Sequence, residues 1–216
     1  MAGRQRARSP EDKQERRAHI LATALELWGE RTFTSFTMAE VAARSGLAKG
    51  TLYLYFATKE ELLLALLESQ LAGWFDDLDA GLAEGGPWDG ERLAELICDA
   101  VDRQPALARL LPIAASILEH NLPLATARAY KEGLLARSAR SAARIEERLP
   151  HLARGDAVWL LQQVYALIVG LGQMADPAPL VAQILAAEPM APLRVEFGPA
   201  LRRAVATLLR GLAAGA

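Results

Sequence analysis

The sequence of 216 residues contains a single cysteine, Cys98, and only three histidines. One cysteine excludes a framework of internal disulfides and fits a reducing compartment, so we expect a cytoplasmic protein. The charged N-terminal stretch, MAGRQRARSPEDKQERR, lacks the apolar core of a secretory signal. We interpret Cys98 as a small core residue on an apolar helix face.

The sequence also lacks the motifs of common catalytic and cofactor-binding sites. It contains no G-x-S-x-G, no glycine-rich phosphate-binding loop and no H-E-x-x-H, and its histidines lie in unrelated segments. The adjacent acids Asp76 and Asp77, like Glu146 and Glu147, point in different directions on a helix and are best explained as solvated charges. We therefore expect no enzyme, no metal site and no cofactor.

Alternating strand patterns are absent as well, whereas helical periodicity recurs along the chain. An apolar content of 52% is sufficient for one large or two small globular domains at this length. The longest apolar run, from Val158 to Ala175, invites a transmembrane interpretation, but it holds Gln162, Gln163 and Gln173 and is barely long enough. We favour a buried helix there and expect an all-α fold without a membrane span.

The segment TMAEVAARSGLAKGTLYLYFATK, residues 37 to 59, carries most of the functional information. Thr37 and Glu40 have the spacing of a capping box, which predicts that a helix starts just after Thr37. Gly46 tolerates a positive φ and predicts the end of that helix. A second short helix is predicted over Lys49 to Phe56. Two short helices joined by a tight turn are typical of a DNA-binding helix-turn-helix motif.

The outward face of the second helix combines one cation, hydroxyls and flat rings with no acidic residue. Its members are Lys49, Gly50, Thr51, Tyr53, Leu54 and Tyr55. Such side chains can reach base edges in the major groove or hold phosphates, and a glycine lets the backbone approach closely. Thr58 and Glu61 cap a third helix, which puts Lys59 at an N-terminus that favours phosphate.

The formal charge is distributed unevenly along the chain. Residues 1–59 carry 10 Lys+Arg against 6 Asp+Glu, whereas the remaining residues carry 14 against 20. A basic first part on an acidic body is expected if only the first part meets nucleic acid. A solvated charged face would explain the basic count alone, but not the motif beside it. The arginines Arg4, Arg6 and Arg8 form a short arm that either lies along DNA or contacts nothing.

Residues 20 to 63 resemble the DNA-binding domain of the tetracycline-repressor (TetR) family of bacterial transcriptional regulators. The resemblance rests on ILATALELW, TMAEVAARSGLAKGTLYLYF and TKEELL, which occur at the family's spacing near the N-terminus. It implies phosphate contacts for Thr37, Tyr55 and Lys59. It also implies contacts inside the major groove for Lys49, Gly50, Thr51 and Tyr53.

Three positions depart from the family pattern. Ala48 stands where a serine usually caps the recognition helix, so a capping contribution of about 1 kcal/mol is expected to be missing. Thr32 replaces a glycine that usually ends the first helix, and Trp28 replaces the usual phenylalanine. None of the three removes a proposed DNA contact.

Beyond the motif, helical patterns are predicted at residues 59–84, 89–103, 105–120, 123–149, 154–175 and 195–213. The first of them is apolar on two sides and connects the motif to the rest of the chain. Five prolines and glycines between Asp176 and Gly198 predict a loop with one turn of helix near its middle. We divide the chain into a DNA-binding domain, residues 1–62, and a helical domain, residues 63–216.

Two interpretations of the helical domain remain open. It either serves only for dimerisation, or it also encloses a site for a small, mainly apolar ligand. The candidate pocket residues are polar or amphipathic groups in apolar helices: Trp74, Phe75, His120, Asn121, Tyr130, Trp159, Gln163, Tyr165, Gln173 and Met174. Taken singly, each has a structural explanation, such as a helix cap or a hydrogen bond to the backbone. The family resemblance implies that the last two long helices form a dimer interface.

These observations predict a homodimeric transcriptional regulator that binds a palindromic double-stranded operator. Repression relieved by a small apolar effector is the interpretation that the resemblance favours. The alternative is a helical DNA-binding dimer with no effector, which would bind DNA regardless of any small molecule.

Overall fold

The structure is a computed structural model that describes residues 9–114 and 121–214. Every regular element in these residues is helical, and none is a strand. The expected all-α fold, with an N-terminal helix-turn-helix domain and a C-terminal helical domain, is confirmed. The arginine arm, Arg4 to Arg8, and the candidate pocket residue His120 lie outside the described residues.

The first three helices are α1 (Pro10–Glu30), α2 (Met38–Arg44) and α3 (Lys49–Leu52). Ser9 caps α1 in a complete capping box with Asp12, and Pro10 occupies the first turn. The helices enclose a small core whose fully buried members are Ile20, Leu27, Phe36, Val41 and Leu52.

The long helix α4 (Lys59–Ala83) continues from this core into the second domain. Thirteen of its side chains are buried, among them Leu62 and Leu63 near its start and Leu78 and Leu82 near its end. It packs on α1 at one end and on three further helices, α5 (Gly90–Asp102), α6 (Leu107–Ile113) and α7 (Leu124–Arg148), along the rest of its length. A helix buried on several sides by partners in both domains is a rigid connection between them.

A buried ionic cluster fixes α4 against α7. The carboxylate of Asp79 is only 7% exposed. It accepts hydrogen bonds from Arg140 Nε at 2.7 Å and from the buried Ser141 hydroxyl at 2.7 Å, and Arg144 Nη1 lies 3.1 Å away. Because a buried carboxylate is costly without partners, these contacts specify how the two helices pair.

Two further long helices, α8 (Asp156–Ala175) and α10 (Phe197–Ala214), complete the bundle. A Cβ atom on Gly172 of α8 would lie 2.6 Å from the carbonyl oxygen of Ala108 on α6, so only glycine permits this close approach. The other side of α8 is not covered by its own chain, since Trp159 is 42% exposed and Met174 is 56% exposed. By length and composition α8 could cross a membrane, but core helices of soluble proteins pass the same criterion.

The segment between α8 and α10 is more ordered than the sequence predicts. It forms α9 (Pro179–Leu185) and a 3₁₀ helix (Glu188–Leu193) rather than a loop with a single turn. The guanidinium of Arg194 donates to the carbonyl oxygens of Leu185 at 2.5 Å and Ala186 at 2.8 Å, which satisfies the end of α9. Each of these two helices has a proline in its first turn, where the fixed φ of proline favours the start of a helix.

Two local predictions were wrong in detail. The α-helical part of the recognition segment ends at Leu52, after which the N–H groups of Leu54 and Tyr55 bond three residues back, to Thr51 and Leu52. The capping box at Thr37 is only half formed: the Thr37 hydroxyl accepts from the Glu40 N–H at 3.2 Å, but the Glu40 carboxylate turns away. A salt bridge explains the second difference, because Arg31 Nη2 holds that carboxylate at 2.6 Å.

Candidate DNA-binding surface and effector cavity

The recognition segment is positioned by a tight turn and by two buried anchors. Gly46 adopts φ +66°, a left-handed conformation that ends α2 and that glycine adopts without strain. Leu52 and Phe56 are 0% and 3% exposed and hold one side of the segment in the core. Ala48 precedes α3 without a side-chain hydrogen bond, as its lack of a hydroxyl predicts.

The opposite side of the recognition segment faces solvent. Lys49, Gly50 and Tyr53 are exposed, and Thr51 is partly exposed. The ammonium of Lys49 lies 6.0 Å from the centre of the Tyr53 ring, so the cation and the ring form one continuous patch. A donor-rich, acid-free patch of this kind matches the acceptors on guanine and the methyl group of thymine.

The candidate phosphate-binding groups Thr37, Tyr55 and Lys59 are at least partly accessible, and local contacts hold two of them. Lys59 Nζ donates to the carbonyl oxygen of Phe33 at 3.0 Å and lies 3.9 Å from the centre of the Phe33 ring. An ammonium has three donors, so this contact orients Lys59 and leaves donors for a phosphate. The Thr37 hydroxyl accepts from the backbone and can still donate, and Tyr55 is half-buried.

Salt bridges fix α2 relative to α1 and thereby orient the motif. Besides the pair of Arg31 and Glu40, the guanidinium of Arg44 binds Glu30 through two contacts of 3.0 and 2.7 Å. The Arg44 hydrogen bond lowers the pKa of the Glu30 carboxyl below its ordinary value. These bidentate pairs join the two helices by their polar sides while the small core joins them by their apolar sides.

A cavity of about 220 Å³ lies inside the second domain, between α4, α6, α7 and α8. Of the candidate pocket residues, Trp74, Phe75, Tyr130 and Tyr165 line it. Trp74 donates its indole N–H to the carbonyl oxygen of Ile97 at 3.4 Å and packs edge-on against Phe75, with ring centres 4.7 Å apart. The indole therefore presents carbon rather than a polar group to the cavity.

Three other candidates on α8 do not line this cavity. Trp159, Gln163 and Met174 lie on the side of α8 opposite to the lining residues Leu161, Val164 and Ile168. The reason is helical geometry, because 100° per residue separates the two sets onto different faces. These three residues belong to the side of α8 that its own bundle leaves uncovered.

The remaining candidates lie elsewhere. Gln173 borders a separate cleft of about 180 Å³ between the two domains, together with Trp28 and Arg109. Asn121 is exposed at the start of the segment that leads into α7. Neither residue borders the cavity between α4 and α8.

Three polar residues that line the cavity were not among the predicted candidates: Lys131, Ser138 and Gln162. A signal for Ser138 was available, since Tyr130, Leu134 and Ser138 recur every four residues and so share one face of α7. No comparable signal identified Lys131, because a lysine on a polar helix is ordinarily a solvated charge.

Arg109 on α6 was also missed, although it connects the two domains. Its Nη1 donates to the carbonyl oxygen of Trp28 at 2.7 Å, and its Nη2 donates to that of Arg31 at 2.5 Å. Its Nε lies 3.7 Å from a carboxylate oxygen of Asp176 at the end of α8. The carbonyls at the end of α1 lack helical partners and carry the negative end of the helix dipole, so a guanidinium there is well placed.

No group of three or more His, Cys, Asp and Glu side chains that could hold a metal ion occurs among residues 9–114 and 121–214.

Cys98 is buried on α5, and burial raises the pKa of its thiol to about 11.

Both domains match families of known proteins in sequence. Residues 20–66 match the family model described as "Bacterial regulatory proteins, tetR family", and residues 68–216 match "Tetracyclin repressor-like, C-terminal domain". Among curated proteins, the chain is 32% identical over 111 residues to the HTH-type transcriptional regulator EthR of Mycolicibacterium smegmatis, which covers 50% of each protein. It is 37% identical over 62 residues to the HTH-type transcriptional regulator TtgR of Pseudomonas putida, which covers 29% of this chain and 30% of that protein. The chain therefore spans at most about half the length of these curated relatives.

Solved structures share the fold at lower identity. A TetR transcriptional regulator from Legionella pneumophila superposes with a TM-score of 0.59 at 16% identity, covering 88% of this chain and 95% of that one. The reduced form of E. coli NemR superposes with a TM-score of 0.53 at 22% identity, covering 90% of this chain and 96% of that one. With both domains matched in sequence and the whole fold matched in structure, the chain belongs to the TetR family of bacterial regulatory proteins.

Proposed function

We propose that this protein is a homodimeric transcriptional repressor that leaves a palindromic operator when a small, mainly apolar ligand binds. Members of its family are DNA-binding transcriptional regulators. The observation that carries the ligand response is the course of α4, which starts beside the recognition segment and forms a wall of the cavity. From Lys59 to Trp74 it spans fifteen residues, or roughly 22 Å at 1.5 Å per residue.

We divide the chain into a DNA-binding domain, residues 1–62, and a helical domain, residues 63–216. We assign all of the DNA contacts to the first domain. Lys49, Gly50, Thr51 and Tyr53 read base edges, and Thr37, Tyr55 and Lys59 hold phosphates. The exposed Lys49–Tyr53 patch supports the first role. Tyr53→Ala is expected to cost about 1–3 kcal/mol on the operator and to relax preference at particular base pairs. A uniform loss on all DNA sequences would contradict base reading by Tyr53.

Dimerisation through α8 and α10 is supported by the uncovered side of α8. Trp159 and Met174 are 42% and 56% exposed on this mostly apolar helix. A second copy would cover them, and the two recognition segments would then lie about 34–36 Å apart, or farther on bent DNA. Sedimentation that shows only monomer at micromolar concentration would refute this part of the proposal.

The ligand is proposed to shift the population between two positions of α4. A ligand that packs against Trp74 and Phe75 and fits one position of α4 favours a separation of the recognition segments that does not match the groove. A coupling of about 1–3 kcal/mol lowers operator affinity roughly 5- to 150-fold, and the operator must weaken ligand binding by the same factor.

That reciprocity provides the test. Apolar compounds are screened for thermal stabilisation, and the affinity of a hit is then measured with and without saturating operator. Weaker binding in the presence of operator supports an effector. Equal affinities would favour the alternative, a helical DNA-binding dimer whose DNA binding no small molecule controls.

A further inference from the structure

The turn between α1 and α2 is tied together by its own hydroxyl groups. The Thr32 N–H donates to the Ser35 hydroxyl at 3.0 Å, and the Thr32 hydroxyl lies 3.1 Å from that of Thr34 and 3.0 Å from that of Ser35. The Phe36 N–H donates to the Thr32 carbonyl oxygen at 2.9 Å, and Phe36 is 1% exposed. Hydroxyl side chains that bond to nearby backbone groups favour one conformation of a turn. Phe33, in the middle of this turn, is therefore held in one place.

The turn takes the place of the glycine that usually ends the first helix in the TetR pattern. Arg31, the residue after α1, has φ −125° and ψ 156°, which is extended backbone that needs no glycine. Thr32 then supplies the hydroxyl at the centre of the cluster. The Arg31 carbonyl oxygen also accepts from Arg109 Nη2, so a contact from the second domain holds the near end of the turn. The departure at Thr32 thus builds the turn that carries Phe33.

Phe33 contacts the ammonium of Lys59 with two different groups. Its carbonyl oxygen accepts from Lys59 Nζ at 3.0 Å, and the centre of its ring lies 3.9 Å from the same nitrogen. No carboxylate in residues 9–114 and 121–214 forms a salt bridge with this ammonium. A cation over a ring face is attracted by the electrons of the ring, and the carbonyl uses only one of three N–H groups. The ammonium is therefore held in place with donors still available for a phosphate.

A side chain that is already held is better suited to bind a phosphate than a mobile one. A lysine loses much rotamer freedom when it is ordered, and this loss opposes binding unless it has occurred beforehand. Lys59 is also the first residue of α4, where the Thr58 hydroxyl accepts from the Glu61 N–H at 3.1 Å and the remaining N–H groups favour an anion. The ring and the helix end thus favour the same ligand.

We infer that Phe33 is a positioning residue for DNA binding: it holds Lys59 so that the ammonium meets a phosphate of the DNA backbone with little loss of freedom. This inference rests on the proposed phosphate contact of Lys59 and adds a residue that acts through it. The simpler alternative is that Phe33 only packs, since it is half-buried against the core. Leucine separates the two roles, because it can replace the packing but has no ring face.

The experiment measures DNA affinity of the full chain by fluorescence anisotropy at several salt concentrations. The DNA is a palindromic operator selected from a random-sequence library. Phe33→Leu should weaken binding by about 2- to 10-fold for each copy of the chain bound, because Lys59 must then be ordered during binding. Phe33→Tyr keeps the ring face and should bind within about 2-fold of the unsubstituted protein. Phe33→Met repeats the comparison with a longer apolar side chain, and urea unfolding checks that each variant is folded.

A double substitution distinguishes positioning from packing. In the background of Lys59→Ala, Phe33→Leu should change affinity by less than about 2-fold, because no ammonium remains to be held. A role in packing alone would give the same loss in both backgrounds. Trp88→Leu is the matched control: its ring carries a cation as well, the Arg92 guanidinium at 4.1 Å, but it lies just before α5 in the second domain and should leave DNA affinity unchanged.

The outcomes separate this inference from the function on which it rests. Full affinity in both Phe33→Leu and Phe33→Met, or an equal loss with and without Lys59, would overturn the positioning role alone. Lys59→Ala that keeps the full salt slope would refute the phosphate contact of the proposed function, and the positioning role with it. A loss in Phe33→Leu that Phe33→Tyr restores and that disappears without Lys59 would support both.

Discussion

Replacement of Arg109 by methionine should separate ligand binding from DNA release. Arg109 lies on α6 between Leu107 and Leu111, which line the cavity and are 0% and 1% exposed. Its guanidinium points the other way and binds the end of α1 in the DNA-binding domain. One short helix therefore lines the cavity and also contacts the DNA-binding domain, and so provides a second connection besides α4.

The structure sets the size of the expected effect. Two of the guanidinium's contacts to carbonyl oxygens are short, 2.7 and 2.5 Å, and the side chain is 32% exposed. With each contact counted at about 1 kcal/mol because of that exposure, the connection contributes about 2 kcal/mol. This equals the middle of the 1–3 kcal/mol range typical of allosteric coupling. Coupling transmitted through α6 cannot exceed the free energy of this connection, so loss of Arg109 should reduce the ligand's influence on DNA while the part transmitted through α4 remains.

The assay is fluorescence anisotropy of a labelled operator with and without a saturating effector from the compound screen. The ratio of the two affinities is the readout, so any change in basal DNA affinity cancels. Arg109→Met should reduce the ratio, by up to the roughly 30-fold that corresponds to 2 kcal/mol. Arg103→Met is the control, because Arg103 forms a surface pair at 3.8 Å with Asp77 of α4, inside the second domain, and should keep the full ratio. An unchanged ratio in Arg109→Met would refute coupling through α6.

Four further predictions concern single residues. Lys59→Ala should weaken binding to all DNA sequences and lower the slope of log affinity against log salt by about 1; a changed base preference with an intact slope would contradict a phosphate contact. Asp79→Ala should lower the free energy of unfolding in urea by about 2–4 kcal/mol, because Ser141 is left buried without its acceptor. The control Asp76→Ala should have almost no effect, since the Asp76 side chain is 76% exposed. Ala48→Ser should supply the missing cap of α3 and stabilise the protein by about 0.5–1 kcal/mol in the same titration. Cys98, with its pKa raised to about 11, should resist iodoacetamide at pH 8 until the protein unfolds, so rapid alkylation of the folded protein would contradict its burial.

The features that the sequence determined by itself are those that depend on near neighbours. Helix starts at Thr37 and Thr58 and the turn at Gly46 were all predicted, because a cap or a positive φ involves residues no more than four positions apart. The outward face of the recognition segment followed from the same local geometry, and the burial of Leu52 and Phe56 on the opposite face agrees with it.

Tertiary structure decided which faces meet. The periodicity of α8 indicated an apolar helix on almost every side, but only packing against α6 and α7 showed that Leu161 faces the cavity while Trp159 faces outward. Glu40 was expected to cap its own helix, and a partner nine residues away, Arg31, took its carboxylate. Local propensity cannot decide between such alternatives, because their free energies depend on which side chains tertiary packing brings close.

The contact between the domains is the clearest case. Arg109 binds carbonyl groups that lie 78 to 81 residues earlier in the chain, and no short-range pattern distinguishes it from any other arginine on a helix. Its role arises only when α4 and α6 bring the end of α1 within hydrogen-bonding distance. The sequence thus specified the helix-turn-helix motif, whereas the connection from cavity to DNA-binding domain depends on long-range packing, which is set by the sum of many weak contacts rather than by any local signal.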